Sequence, residues 1–362
     1  MKANPLENRA ELEHILACPA CRSSVKVSPA EWSCRNCKKE WPIDGDGVVR
    51  LSESDQFFGA DQQGMRKLLE EMRNMSAEEF FGDMARLEEA YRDFQYDYCL
   101  DPARADWTVL EDLQDKIVVD LGCGYGTVSL PVAPRAKMVI GVDHTLERVK
   151  FFSLVAGFRG VANITAIHGN VFELPFREEA VDVFVCMGLL EYAGTWKQGA
   201  RPIEVQKEFL ACLYRCLSKN GRIWIGIENR LNPAYLIGKT HHGDIPFTAL
   251  MPRAVANAVS WLCKGEPYRT WTHGQRGYVK LLQAVGFEGV ELYYPFPGYQ
   301  KPRFIVPSTE RRVFSRMVRN PGFGSGGSIT HKVGIRLYRT LDRIGLLGVF
   351  APTFLIRGIK RL

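Results

Sequence analysis

Short apolar stretches recur through the middle of the chain, at Ile117–Val119, Met138–Val142, Ile164–Ile167, Val181–Cys186 and Arg222–Ile227. Each is rich in Val and Ile and closes on turn-forming or polar residues, the pattern of parallel strands buried on both faces. Between them the apolar spacing lengthens to that of a helix. Thr145–Phe158 and Ile203–Leu217 predict helices, the second with Phe209, Leu210, Leu213 and Leu217 on one face. Strand and helix in strict alternation predict an α/β fold with a parallel sheet and right-handed crossovers. Farther on, Tyr278, Leu281, Leu282 and Val285 mark a last core helix and Val290–Tyr294 a sixth strand. Ala351–Ile359 has the length and composition of a seventh strand. Ahead of the first strand, Leu68, Leu69 and Met72, then Phe80, Met84, Leu87 and Tyr91, keep helical spacing. Residues 52–115 therefore predict two or three helices leading into the first strand, a helical linker or lid. The aromatic cluster Tyr91, Phe94, Tyr96 and Tyr98 that follows reads chiefly as core, with Tyr96 or Tyr98 placed to touch a ligand.

The first strand ends at Asp120 and breaks into a turn carrying Gly122, Gly124 and Gly126. A chain that leaves a strand, wraps a ligand and enters a helix needs positive φ and close backbone approach, which glycine supplies. A dinucleotide fold spaces these residues as G-x-G-x-x-G, with pyrophosphate on the helix N-terminus. Here the third glycine comes one residue early, and Asp120 sits two positions before the first. An anion beside the turn suits a cationic ligand better than a pyrophosphate. This pattern resembles the first motif of class I S-adenosylmethionine-dependent methyltransferases, whose seven-stranded Rossmann-like sheet is mostly parallel with its last strand antiparallel.

The resemblance extends along the chain. It implies that Asp143, with His144 behind it, holds the ribose hydroxyls, and that the HGNVFELPF segment flanks adenine through Asn170 and Val171. Asn170 stands where the family often has Asp. Met187, Gly188 and Leu189 correspond to the lip of the methyl-transfer site. Cys123 matches a position that is commonly small in the family, so it reads as packing within the cofactor loop rather than as a nucleophile. In open parallel sheets ligands sit outside the carboxyl ends of the strands. That rule gathers Gly122–Gly126, Asp143, Asn170, Met187–Leu189 and Glu228 around one predicted cleft. A hydroxyl acceptor would call for a base, and the candidates are His241, His242 and Asp244, with Glu228 and Tyr192 behind them.

The N-terminal 51 residues carry a separate signal. Cys18-Pro-Ala-Cys21 is followed after twelve residues by Cys34-Arg-Asn-Cys37. Two such knuckles can share one tetrahedral ion, and four protein ligands leave no open position, so a structural Zn2+ is expected. The segment, with its closing Trp41-Pro42-Ile43-Asp44-Gly45, resembles small zinc-ribbon proteins that partner and activate tRNA and protein methyltransferases. The predicted organisation is a zinc ribbon at 1–51, a helical linker or lid at 52–115, a methyltransferase core at 116–307 and a basic C-terminal segment at 308–362. A substrate insert at about 228–275 interrupts the core. The pieces ENR, HHGDIPF, PYRTW and PFPGYQKP in and after that insert resemble methyltransferases encoded with bacterial polysaccharide and lipopolysaccharide assembly enzymes.

Composition adds two points. The net charge of +6 is uneven: residues 301–362 hold thirteen Lys or Arg against two Asp or Glu, which leaves the rest of the chain acidic. A basic end predicts an anionic partner, phosphate groups or a membrane surface. No apolar window is long enough to span a bilayer, and the polar N-terminus lacks a signal-peptide core. A cytoplasmic location is expected, with peripheral contact to the inner face of the membrane as an option. Three functions are then open: O-methylation of a sugar, glycan or related small metabolite; methylation of RNA gripped by the ribbon and basic tail; or a cofactor-binding scaffold that activates a partner. The leading expectation is the first. The strand exit GLLEY lacks the Asn/Asp-Pro-Pro-aromatic motif of many base-amine methyltransferases.

Overall fold

All five residues of Ile117–Leu121 are buried, and the strand they form has a parallel neighbour on each side. The computed structural model describes residues 8–54, 57–197, 199–240, 245–320 and 329–361. The chain divides into two compact units. One runs to Cys186 and takes back Arg215–Arg222; the other comprises Met187–Tyr214 and Ile223–Arg361.

In the first unit a small antiparallel sheet holds β1 (Val25–Val27), β2 (Glu31–Cys34) and β3 (Glu40–Pro42). The chain then forms β4 (Val48–Arg50), followed by the lid helices and β5 (Ile117–Leu121). Next come β6 (Met138–Asp143), β7 (Ile164–His168) and β8 (Val181–Met187). Their order is β8-β5-β6-β7-β4, parallel throughout, with Val119 beside Ile140 and Phe184, and Val142 beside Ile167. Branched side chains fill both faces because helices cover them, as the apolar patterning requires. The helix Leu146–Phe158 buries Val149, Phe151, Phe152 and Val155.

The strand β9 (Leu217–Glu228) begins in the first unit and continues in the second. There β10 (Glu288–Phe296), β11 (Phe304–Pro307) and β12 (Thr353–Ile359) complete the order β11-β10-β12-β9. Tyr293 pairs antiparallel with Leu355 of β12 and with Pro307 of β11. The helix Gln275–Val285 buries Tyr278, Leu281 and Leu282, as their spacing predicts.

All seven expected strands are present, and the last is antiparallel to its sixth neighbour. Two more appear: β4, added beside β7 from the end of the cysteine-rich segment, and β11. The fifth strand starts at Leu217 rather than Arg222, passing Asn220 in a left-handed conformation (φ 59°). The helical stretch before β5 is more broken than expected. Helices at Gln62–Arg73, Ala77–Gly82, Met84–Ala90 and Tyr96–Cys99 lead into a 3-10 turn at Pro102–Leu110. Tyr91 and Phe94 are core, as expected, but Tyr96 and Tyr98 are exposed. Tyr98 still meets the Tyr125 ring edge-on, with centroids 5.8 Å apart.

Candidate active site

The turn after β5 is held by its backbone. Gly122 N–H and Cys123 N–H both donate to Val142 O (2.8 and 3.2 Å), and Gly126 N–H donates to Cys123 O (2.9 Å). Gly122, Gly124 and Gly126 all have positive φ (68°, 51° and 78°). A Cβ on Gly126 would lie 2.1 Å from the Phe152 ring, whereas one on Gly124 would meet nothing within 4 Å. Gly126 is therefore needed for packing, and Gly124 faces open space. Cys123 is buried, its Sγ close to Gly141, and burial pushes its thiol far above the ordinary range. It is a packing residue at this turn, not a nucleophile.

Two carboxylates stand at this turn. Asp120 is buried, which raises its pKa to about 7 despite a 2.7 Å hydrogen bond from Ser129 Oγ. Asp143, at the end of β6, accepts from Gly124 N–H (3.0 Å) through Oδ2 and from Thr145 N–H (2.8 Å) through Oδ1. Each oxygen keeps a further lone pair, so the carboxylate can accept two hydroxyls as well. His144 Nδ1 lies 3.6 Å from Asp143 Oδ1, with its ring half-exposed. Gly169 N–H donates to Asp143 O (2.9 Å), which fixes the end of β7 beside it. Asn170 is exposed, and its Oδ1 accepts from Phe172 N–H (3.0 Å). That turn uses the side-chain carbonyl and leaves the amide N–H pair available to a ligand. Val171 is buried behind it.

Two arginines that sequence patterning did not single out belong here. The Arg148 guanidinium is 5.0 Å from the centre of the Tyr125 ring, and Asp143 acts on it electrostatically. Arg104 lies 5.1 Å above the Tyr98 ring and acts likewise on Asp120. Both have a buried Nε with no hydrogen-bond partner among the described residues. Neither sits in a local motif, so only the folded arrangement distinguishes them from ordinary surface arginines. Two carboxylates and two arginines around an open glycine turn suit a ligand that carries both charges.

In the second unit Gly188 follows β8, and its N–H donates to Gly226 O (2.8 Å). A Cβ on Gly188 would lie 2.5 Å from Tyr299 Oη, and one on Gly226 would strike Met187 Sδ and the Tyr299 ring. Both glycines admit Tyr299 against the strand ends. Tyr299 Oη donates to Glu228 Oε1 (3.4 Å), as does Gln300 Nε2 (3.2 Å), while Tyr278 Oη donates to Glu228 O (3.0 Å). Glu228 thus sits in a polar group whose other members, Tyr299 and Gln300, were not predicted. Leu189 and Tyr192 close one short turn, with Tyr192 N–H donating to Leu189 O (3.0 Å). His241, His242 and Asp244 lie outside the described residues. The insert contains another histidine, His273, half-buried and held neutral by desolvation with its pKa at about 4; its Nε2 bonds Gln206 Oε1 (2.8 Å). Gln206 Nε2 in turn donates to Leu190 O and Trp271 O, so the pair braces the insert.

The four expected cysteines converge. The Sγ atoms of Cys18, Cys21, Cys34 and Cys37 all lie within 4.8 Å of one another, with Cys18–Cys37 at 3.6 Å and Cys21–Cys34 at 3.5 Å. Zinc–thiolate bonds of about 2.3 Å in a tetrahedron require sulfur separations of roughly 3.8 Å, so the donor set fits such an ion. The N–H groups of Asn36 and Cys37 both donate to Cys34 Sγ (3.4 Å each), an arrangement that favours thiolate.

Comparison with known proteins agrees with this geometry. Residues 119–225 match the family described as "Methyltransferase domain". The core is thus a methyltransferase domain of the S-adenosylmethionine-dependent kind. A curated relative, the ubiquinone biosynthesis O-methyltransferase of Rickettsia canadensis (strain McKiel), is 24% identical over 152 residues, 40% of this chain and 59% of the relative. The 23S rRNA (uracil(1939)-C(5))-methyltransferase of Vibrio parahaemolyticus is 40% identical over 62 residues, 17% of this chain and 14% of the relative. Among solved structures, a putative S-adenosylmethionine-dependent methyltransferase from Listeria monocytogenes aligns with a TM-score of 0.44 and 15% identity, covering 72% of this chain and 98% of that one. The curated matches span 59% or less of these relatives' own lengths. No described helix is long and apolar enough to cross a membrane.

Proposed function

We propose that the protein transfers a methyl group from S-adenosylmethionine to an oxygen of a sugar, glycan or related small metabolite. The observation that carries the cofactor assignment is Asp143, whose two oxygens are pinned by Gly124 N–H and Thr145 N–H beside an open glycine face. In this reading Asp143 accepts the ribose hydroxyls, Asn170 and Val171 flank adenine, and the turn Gly122–Gly126 passes under the methionine portion. Arg104 and Arg148 supply positive charge for the ligand's carboxylate, and Asp120 negative charge for its cationic portion. When bound, the cofactor supplies an electrophilic methyl group on a sulfonium. The chain's task is to position the acceptor in line and exclude water, which accounts for much of such a rate enhancement.

For a hydroxyl acceptor, the group suited to take its proton is Glu228, oriented by Tyr299 and Gln300. The insert's likeness to enzymes of polysaccharide clusters supports a glycan-type acceptor, and the name of the Rickettsia relative supports transfer to oxygen. The four cysteines would hold one Zn2+ that fixes the ribbon. The basic C-terminal segment would meet an anionic surface or a phosphate-bearing partner. The name of the Vibrio relative and the cysteine-rich segment favour RNA as the second reading.

Incubation with labelled S-adenosylmethionine and fractionated cell extract tests both readings: label in a glycan or small-molecule fraction supports the first, label in RNA the second. Glu228→Gln should lower transfer to a hydroxyl by about a hundredfold or more while leaving cofactor affinity unchanged. Equal turnover by the variant would remove Glu228 from the chemistry. Calorimetry giving no heat with S-adenosylmethionine, but clear heat with a nicotinamide dinucleotide, would refute the cofactor assignment.

A further inference from the structure

The helix Arg253–Lys264 is inverted relative to an ordinary surface helix. It turns Ala256 and Ser260 inward, and Arg253 donates to Thr272 O while its guanidinium stacks 4.7 Å from the Trp271 ring. Outward it presents Ala254, Val255, Ala258, Trp261 and Leu262, all exposed. At the α-helical repeat these five fall within an arc of roughly 120°. Leu262 is 87% exposed and Trp261 53%.

The same insert exposes further apolar side chains. Leu236 and Ile237 are exposed at the end of a 3-10 turn, and a Cβ on the next residue, Gly238, would lie 3.7 Å from the exposed Phe247 ring. Arg230 ties this stretch down by donating to Ala249 O (2.9 Å) and Met251 O (2.6 Å). Among the described residues, six of the fifteen exposed large apolar side chains fall within residues 236–262, a concentration that scattered surface residues do not produce.

Charge identifies the occupant. Residues 229–265 contain Arg230, Lys239, Arg253 and Lys264 against Asp244, with Glu228 just before and the exposed Glu266 just after. Lys239 and Lys264 are exposed at the two ends of the patch. The helix Ile329–Arg343 packs against Pro233–Ile237 and carries exposed Arg336 and Arg343. We infer that this face rests on an anionic phospholipid bilayer, its aliphatic and indole side chains entering the interface and its cations meeting the headgroups. A second copy of the chain docking face to face would bring like charges together. A basic rim around an apolar centre is instead what a negatively charged lipid surface complements. The contact lies in the interfacial plane, and it places the apolar contact on the insert rather than on the basic tail. It does not depend on which atom is methylated.

The test is co-sedimentation of the full chain with vesicles of phosphatidylcholine, with and without phosphatidylglycerol. The wild type should sediment with the anionic vesicles, and added salt should weaken binding. The double variant Val255→Glu, Leu262→Glu should lose at least about tenfold in partitioning, while Val109→Glu, an exposed apolar site in the first unit, should bind as the wild type does. Replacing Lys239 and Lys264 by Glu should remove the preference for anionic lipid. Circular dichroism matching the wild type establishes that the variants are folded, and the charge-reversed pair serves if the apolar one is not. Wild type remaining in the supernatant, or folded variants binding undiminished, would overturn the inference. So would a dimer in vesicle-free sedimentation velocity that the double variant abolishes.

Discussion

Gly124 and Gly126 lie two residues apart on one turn, yet replacing each by alanine should do different damage. Both sit at positive φ (51° and 78°), where an L-residue costs about 1–2 kcal/mol. For Gly124→Ala that is nearly the whole effect on folding, because the added methyl meets no atom within 4 Å. For Gly126→Ala the methyl would lie 2.1 Å from Phe152 Cδ2 and 2.8 Å from Cγ. Phe152 is fully buried in the helix behind the turn, so it cannot swing away freely. Overpacking of this kind adds about 1–3 kcal/mol, which brings the loss at Gly126 to roughly 3 kcal/mol or more. The open face at Gly124 is where a cofactor would approach, so its methyl should weaken binding by tenfold or more. Urea unfolding reads the first quantity and calorimetric titration with S-adenosylmethionine the second. The reasoning fails if the two variants lose equal stability, or if folded Gly124→Ala binds cofactor as the wild type does.

Asp143→Asn keeps the shape of the side chain and removes its charge. Losing charge-assisted bonds to two hydroxyls should weaken cofactor binding by about ten- to a hundredfold, read by calorimetry; because an amide keeps one acceptor for the Gly124 and Thr145 N–H groups, stability should also fall by about 1–3 kcal/mol. An undiminished affinity would mean that Asp143 serves only the Gly124 and Thr145 amides. Asp120 gives a pH prediction: its folded pKa, near 7, exceeds its ordinary 3.8, so its contribution to stability is complete below that lower value and is lost as pH rises through 7. A bound cation should draw Asp120 toward the carboxylate, so binding at about pH 6 releases a proton. The binding heat should then vary with the ionisation heat of the buffer, and an invariant heat would count against it. For the cysteine cluster, purified protein should carry one zinc per chain by elemental analysis. Stripping the metal with a strong chelator should red-shift tryptophan emission as the buried Trp32 and Trp41 become exposed. Metal-free protein with unchanged emission would assign the cysteines another role.

The parts legible in the sequence were those with a repeated local signature. The strands Ile117–Leu121, Met138–Asp143 and Val181–Met187 are buried on both faces, so every residue counts toward the apolar run. The convergence of the four cysteines was legible because two C-x-x-C pairs form a local pattern of fixed spacing. β4 was not, since three residues show no periodicity and Val48–Arg50 becomes a strand only by pairing with Ala166–His168. β11 was hidden for the same reason: four residues ending in Pro307 acquire their ladder from Tyr293–Phe296. The tyrosines at 96 and 98 misled because the aromatic count says nothing about which face of a one-turn helix is covered. Arg104 and Arg148 carry no motif at all; their relevance lies in which carboxylates and rings they approach. Tyr299 was likewise invisible until Gly188 and Gly226 were seen to make room for it.

The short strand β4 also changes how the cysteine-rich segment should be regarded. It emerges from the small sheet and joins the parallel one beside β7, and Leu51 N–H and Ser52 N–H then both donate to His168 O (2.9 and 3.1 Å). Arg50 Nε–H donates to His168 Nδ1 (3.3 Å), which leaves Nε2 as the donor to His144 O (2.9 Å) and the ring neutral in that tautomer. Burial lowers the histidine's pKa in the same sense. On the other side, Arg22 donates to the carbonyls of Leu174 and Phe176, and Arg177 N–H to Ile15 O (2.8 Å). A ladder of hydrogen bonds therefore runs from the residues after the cysteine knuckles to His144 and, through Gly169 N–H, to the backbone of Asp143. A tethered accessory module would make few such bonds and could be cut away without consequence. Removing this one would strip β7 of its neighbour and leave His168 without Arg50, next to the two residues on which the cofactor assignment rests. These bonds make the segment part of the first compact unit.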